Sequence, residues 1–90
     1  MSKPVLIDFY ADWCGPCKLQ TPILKQLKEI MGDSVEIKKL DVDQNMETAM
    51  KYAIQVVPTL IIEKDGEVIH RLEGVTDAER LKELLTPLIT

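Results

Sequence analysis

Apolar positions along this chain change period several times, and each change marks an element. Val5 to Tyr10 is an apolar run of β-forming residues broken only by Asp8, the pattern of a central strand covered on both faces. From Cys14 or Gly15 to Met31 the period becomes helical. Leu19, Ile23, Leu27 and Ile30 mark one face, widened by Leu24 and Met31. Pro16 suits the first turn of this helix, Pro22 is expected to kink it, and Gly32 to cap its end. Residues 35–42 read as a second strand. Asp43, Gln44 and Asn45 offer capping side chains for a short helix reaching about Ala53. Residues 59–63 and 67–73 read as a hairpin around Lys64-Asp65-Gly66, with Asp-Gly as the turn signal. Thr76-Asp77-Ala78-Glu79 fits a capping box with Thr76 as N-cap. Ala78, Leu81, Leu84, Leu85 and Leu88 give the last helix its apolar face.

The order is βαβα followed by ββα. A right-handed crossover makes the first two strands parallel, and the hairpin adds antiparallel strands. The expected class is α/β: a mixed central sheet of about four strands with helices on both faces. The 90 residues suffice for one domain, 1–90, without linker, repeat or low-complexity tract. A chain this short buries only roughly two thirds of its unfolded surface.

Composition narrows the chemistry. The net charge is -4 and no Lys/Arg cluster stands out, so neither nucleic acid nor an anionic membrane is an expected partner. No uncharged apolar stretch is long enough to cross a bilayer, and no signal peptide is read at the start. Two cysteines are too few for a stapled secreted scaffold or for a closed zinc site, so no metal is expected. A cytoplasmic, reducing setting is expected, where a lone Cys pair is catalytic or metal-binding rather than structural.

Both cysteines lie in Trp13-Cys14-Gly15-Pro16-Cys17, at the junction of the first strand and first helix. Cys-x-x-Cys there is a redox motif with a mechanism: the helix start favours a thiolate at the first sulfur, and the second lies nearly one turn later on the same side. Cys14 is therefore expected to be an exposed nucleophile, and Cys17 a less exposed resolving thiol that closes a redox-active disulfide.

The chain resembles the thioredoxin family. The resemblance rests on residues 8–18 (Asp-Phe-Tyr-Ala-Asp-Trp-Cys-Gly-Pro-Cys-Lys), Lys39, Asp41 to Asn45, Val57-Pro58-Thr59, Asp65-Gly66 and Gly74. It implies a protein disulfide reductase that needs no cofactor beyond its own Cys14–Cys17 disulfide. It also implies disulfide-bearing protein substrates, a flavin- or ferredoxin-linked thioredoxin reductase as electron donor, and a monomer. The sheet is expected to lack the strand and helix that come first in most thioredoxins, which leaves 35–42 as an edge guarded by Lys38 and Lys39.

The same resemblance assigns roles. Asp8 accepts the proton of Cys17; the residues alone also allow a strand-end carboxylate facing solvent or one held by a structural hydrogen bond. Gly15 and Pro16 tune the pair. Lys39 modulates Asp8, although by itself it reads as a solvated edge lysine. Pro58 follows a cis bond and faces the cysteines, freeing the Val57 backbone to pair with an extended substrate; otherwise it is an ordinary loop proline. Trp13, Gly74 and Val75 form an apolar rim with Pro16 and Val57, against the alternatives of core packing for Trp13 and a plain turn for Gly74. Three other functions fit parts of the pattern. These are a binding module that uses the fold without turnover, metal held by Cys pairs across a dimer, and exchange with glutathione.

Overall fold

The computed structural model describes residues 2–89. In chain order it contains β1 (Val5–Tyr10), α1 (Gly15–Met31), β2 (Glu36–Asp41), α2 (Met46–Lys51), β3 (Thr59–Lys64), β4 (Glu67–Glu73) and α3 (Ala78–Leu85). Short 3-10 turns, Gly32–Ser34 and Thr86–Leu88, follow α1 and α3. The strands lie in the order β2-β1-β3-β4. β1 runs parallel to β2 and antiparallel to β3, and β3 runs antiparallel to β4.

The apolar run of β1, broken only by Asp8, has its explanation in this order. β1 is flanked by strands on both edges and buried on both faces. Leu6, with Leu60 and Ile62 of β3, packs against Leu24 and Leu27 of α1 and Leu81 and Leu85 of α3. Ile7, Phe9 and Ile61 point the other way, toward Leu40, Val42, Tyr52 and Ile54 around α2. The helices therefore cover both faces. Alternation along β1 decides which residue goes where, because successive side chains leave opposite sides of a strand. Each fully buried leucine contributes about 1.5–3 kcal/mol by leaving water, so the two layers anchor the sheet from both sides.

β2 is an edge strand, as expected, and Lys38 and Lys39 are exposed along it. The β3–β4 turn is tighter than its sequence suggested. Lys64 ends β3, leaving Asp65 (φ 54°) and Gly66 (φ 81°) as the two turn residues. Both lie in the left-handed region, which a hairpin turn of the I′ type requires and Asp-Gly supplies cheaply. The Lys64 ammonium donates to Ser2 O (2.7 Å) and Leu88 O (2.6 Å), tying both ends of the chain to the hairpin.

Four local expectations need correction. First, the buried stripe of α1 is Cys17, Gln20, Leu24 and Leu27, whereas Leu19 and Ile30 are 63% and 50% exposed. Tertiary packing, not hydrophobicity alone, chose the face: Leu24 and Leu27 pack with Leu6 and Leu60 of the sheet, and Gln20 pairs with the Thr76 backbone. Second, α3 is capped by Asp77, whose carboxylate accepts from Arg80 N at 2.8 Å, and not by Thr76. The Thr76 backbone is held elsewhere, so the helix begins one residue later. Third, α2 ends at Lys51 rather than near Ala53, which takes a left-handed φ of 54°. Fourth, Asn45 occupies the N-cap position of α2 without a capping bond. Its amide donates instead to Asp41 O (3.0 Å), and Asp41 Oδ1 accepts from Asp43 N (2.8 Å), so these side chains fold the preceding turn.

Candidate active site

Cys14 is the N-cap of α1, with extended backbone (φ -92°, ψ 112°), and Cys17 lies in the first turn. The two are joined by a disulfide, with Cα atoms 5.3 Å apart. The Cys17 backbone N–H donates to Cys14 Sγ at 3.1 Å. A helix start leaves such N–H groups without partners, so negative charge is stabilised there. Gly15 and Pro16 fill the first helical positions at the surface. An exposed Cys14 is not what the fold provides. Cys14 retains 5% of its surface and Cys17 3%, packed with Ala11 and edged by Tyr10, Val42 and Val57. Cys14 is covered because the Val57 carbonyl oxygen stands 3.5 Å from its sulfur.

The segment carrying Val57 is held from several sides. Thr59 Oγ1 donates to Val56 O at 2.6 Å, and Gly74 N–H donates to Pro58 O at 2.8 Å. The Val57–Pro58 peptide bond is cis, and Pro58 is buried. Gly74 takes a φ of 95°, which a side chain would strain, and Val75 beside it is 42% exposed. Trp13 is 71% exposed, so core packing does not describe it. Its indole N–H donates to Asp43 Oδ2 at 2.9 Å, which steadies the ring against the β2–α2 loop. Trp13, Val42, Ala49, Ile54, Val56 and Val57, with Gln55, line a largely apolar groove of about 390 Å³ beside the disulfide.

Asp8 is fully buried, which rules out the solvent-facing alternative. It leaves β1 on the same side as Leu6, the side covered by α1. Neither carboxylate oxygen has a hydrogen-bond partner among the described residues. Burial raises its pKa from 3.8 to about 6, and the positive charge of Lys39 pulls partly against that rise. Lys39 is the cross-strand neighbour of Asp8 on β2. It is more than a solvated lysine: its ammonium donates to Thr21 Oγ1 of α1 at 2.7 Å and sits 4.7 Å from the centre of the Tyr10 ring.

One residue of this region escaped the sequence reading. Gln20 is fully buried on α1, and its amide makes two hydrogen bonds of 2.9 Å with the Thr76 backbone. Its signal was present but weak: a polar residue three positions after Cys17, in register with Leu24 and Leu27.

A disulfide at a helix start, with a carbonyl against its first sulfur and a buried acid beneath the same helix, defines a dithiol–disulfide oxidoreductase. Residues 1–87 match the family described as Thioredoxin, and the chain belongs to that family. It is 51% identical over 81 residues to a thioredoxin of Bacillus subtilis, covering 90% of this chain and 78% of that one. It is 46% identical over 79 residues to a thioredoxin-like protein of Synechocystis, covering 88% and 75%. Among solved structures, a mutant thioredoxin from Halobacterium salinarum superposes with a TM-score of 0.89 at 38% identity, covering 99% of this chain and 77% of that one. The activity is protein disulfide exchange through the Cys14–Cys17 pair. Among the described residues, no helix is long and apolar enough to cross a membrane.

Proposed function

We propose that this protein reduces disulfides in other proteins, with Cys14 as nucleophile and Cys17 as resolving thiol. The observation that carries the assignment is the Cys17 N–H donating to Cys14 Sγ at the start of α1. That bond and the helix dipole favour a thiolate at Cys14 over one at Cys17, whose sulfur has no such donor among the described residues. The Cys14 thiolate attacks one sulfur of the substrate disulfide. A mixed disulfide forms and the first substrate thiolate leaves, taking up a proton. Cys17 then gives its proton to Asp8, directly or through a water, and attacks Cys14 Sγ. The second substrate thiolate departs, and the substrate has gained two electrons while Cys14–Cys17 is oxidised.

Substrate segments bind in extended form along the Val57 backbone, by strand addition. Trp13, Pro16, Gly74 and Val75 form the rim, and the groove beside Trp13 takes an apolar side chain. Gly15 and Pro16 tune the couple, and Lys39 adjusts the charge on Asp8. The dithiol is restored by a thioredoxin reductase, flavin- or ferredoxin-linked, and the protein works as a cytoplasmic monomer without a further cofactor. With dithiothreitol as electron source the protein reduces insulin disulfides, and Cys14→Ser lowers the rate to background. In Cys17→Ser the mixed disulfide persists and is visible as a covalent complex on non-reducing gels. Full activity in Cys14→Ser refutes the assignment.

A further inference from the structure

We propose that Gln20 is a positioning residue that sets the substrate wall of this site. The amide of Gln20 acts as a peptide group supplied by a side chain. Its Nε2 donates to Thr76 O and its Oε1 accepts from Thr76 N–H, both at 2.9 Å. No surface of Gln20 reaches solvent. A buried amide is costly unless hydrogen-bonded, and here each of its two polar atoms has a partner.

What Gln20 grips explains its place. Thr76 directly follows Gly74 and Val75, in the connection from β4 to α3. Gly74 N–H is bonded to Pro58 O, and Val57 O stands against Cys14 Sγ. Cys14 caps α1, and Gln20 lies one turn past Cys17 on the same face of that helix. The contacts therefore close a loop: disulfide, α1, Gln20, Thr76, Gly74, Pro58, Val57, disulfide. Every other link in it is backbone or disulfide, and among the described residues Gln20 is the side chain whose hydrogen bonds join the helix bearing the cysteines to Thr76.

The consequence is for binding, not for sulfur chemistry. A wall fixed beforehand spares the substrate the cost of ordering 74–76 when it docks. A small disulfide has no extended chain to lay along this wall and so depends on it less. This inference rests on the reading of Gly74 and Val75 as substrate contacts.

The test is Gln20→Leu, which keeps the volume and removes both bonds, with Gln20→Glu, which keeps the acceptor for Thr76 N–H and loses the donor. Three readouts are taken: amide hydrogen exchange at Thr76, KM and kcat for insulin reduction, and the rate with the small disulfide dithiobis(nitrobenzoate). In Gln20→Leu, Thr76 exchanges about tenfold faster or more, and KM for insulin rises about tenfold with kcat nearly unchanged. The small disulfide reacts within about twofold of wild type, and Gln20→Glu falls between the two in KM. Should Gln20→Leu fail to fold, the rise in KM for Gln20→Glu decides the matter. Unchanged exchange at Thr76 overturns the role of Gln20 itself. Faster exchange with unchanged KM overturns the proposal by removing Gly74 and Val75 from the substrate site. A parallel loss with insulin and the small disulfide shows a merely structural residue and also overturns it.

Discussion

Replacing Asp8 with Asn should make this protein more stable at neutral pH and leave it unchanged in acid. The carboxyl is fully buried without a hydrogen-bond partner among the described residues, and its pKa rises from 3.8 to about 6. The folded protein thus holds this proton more tightly than the unfolded chain does. Below about pH 4 the group is protonated in both states and contributes nothing. Between about pH 4 and 6 the unfolded chain ionises first, and stability falls by up to about 1.4 kcal/mol per pH unit. Above that window the folded state carries a buried carboxylate. At about 1.36 kcal/mol per unit, the shift amounts to about 3 kcal/mol. A domain of this size has roughly 5–15 kcal/mol in total, so the effect is large. Asn keeps the shape of the protonated acid and cannot ionise. Urea unfolding of the oxidised wild type and Asp8→Asn, from pH 4 to pH 8, gives the difference curve directly, because all other titrating groups cancel. The curve should start near zero and reach a plateau of about 3 kcal/mol in favour of the variant. A difference that does not depend on pH refutes the reasoning, as does a variant less stable at pH 8. The same substitution should slow turnover, since it removes the proposed proton acceptor for Cys17. A destabilising acid retained at a reactive site is the expected trade of stability for chemistry.

Lys39→Met removes the charge that pulls the Asp8 pKa down; the upper end of the stability window just described should move to higher pH while its lower end, set by the unfolded chain, stays in place, as read from the same urea series with Asp8→Asn in both backgrounds. Asp77→Ala should cost about 1 kcal/mol through loss of the α3 cap, whereas Thr76→Ala should cost well under half of that. Equal losses at the two positions, measured by urea unfolding, would contradict the observed cap. Cys17→Ser should accumulate the mixed disulfide with insulin while Cys14→Ser forms none; the reverse pattern would exchange the two roles.

Much of this protein is decided by neighbours in the sequence. The strand β1, the helix start at Cys14, the Asp-Gly turn and the cap at Gly32 each depend on a few adjacent residues. Those residues fix local dihedrals or alternate in and out of a core, so the elements and the redox pair could be read without coordinates. The resemblance to thioredoxins came from the same short stretches. Three properties of the site were decided only by distant parts of the chain. Cys14 lost its expected exposure because the Val57 carbonyl, brought in by β3, stands over its sulfur. Asp8 became a buried acid with a raised pKa because α1 covers that face of β1 and, among the described residues, no donor meets its carboxylate. Gln20 turned inward, and Leu19 outward, because a backbone pair at Thr76 awaited an amide. Burial and hydrogen-bond partners are properties of pairs, and when those pairs lie 43 or 56 residues apart no local pattern encodes them; packing the helices onto the sheet settles them.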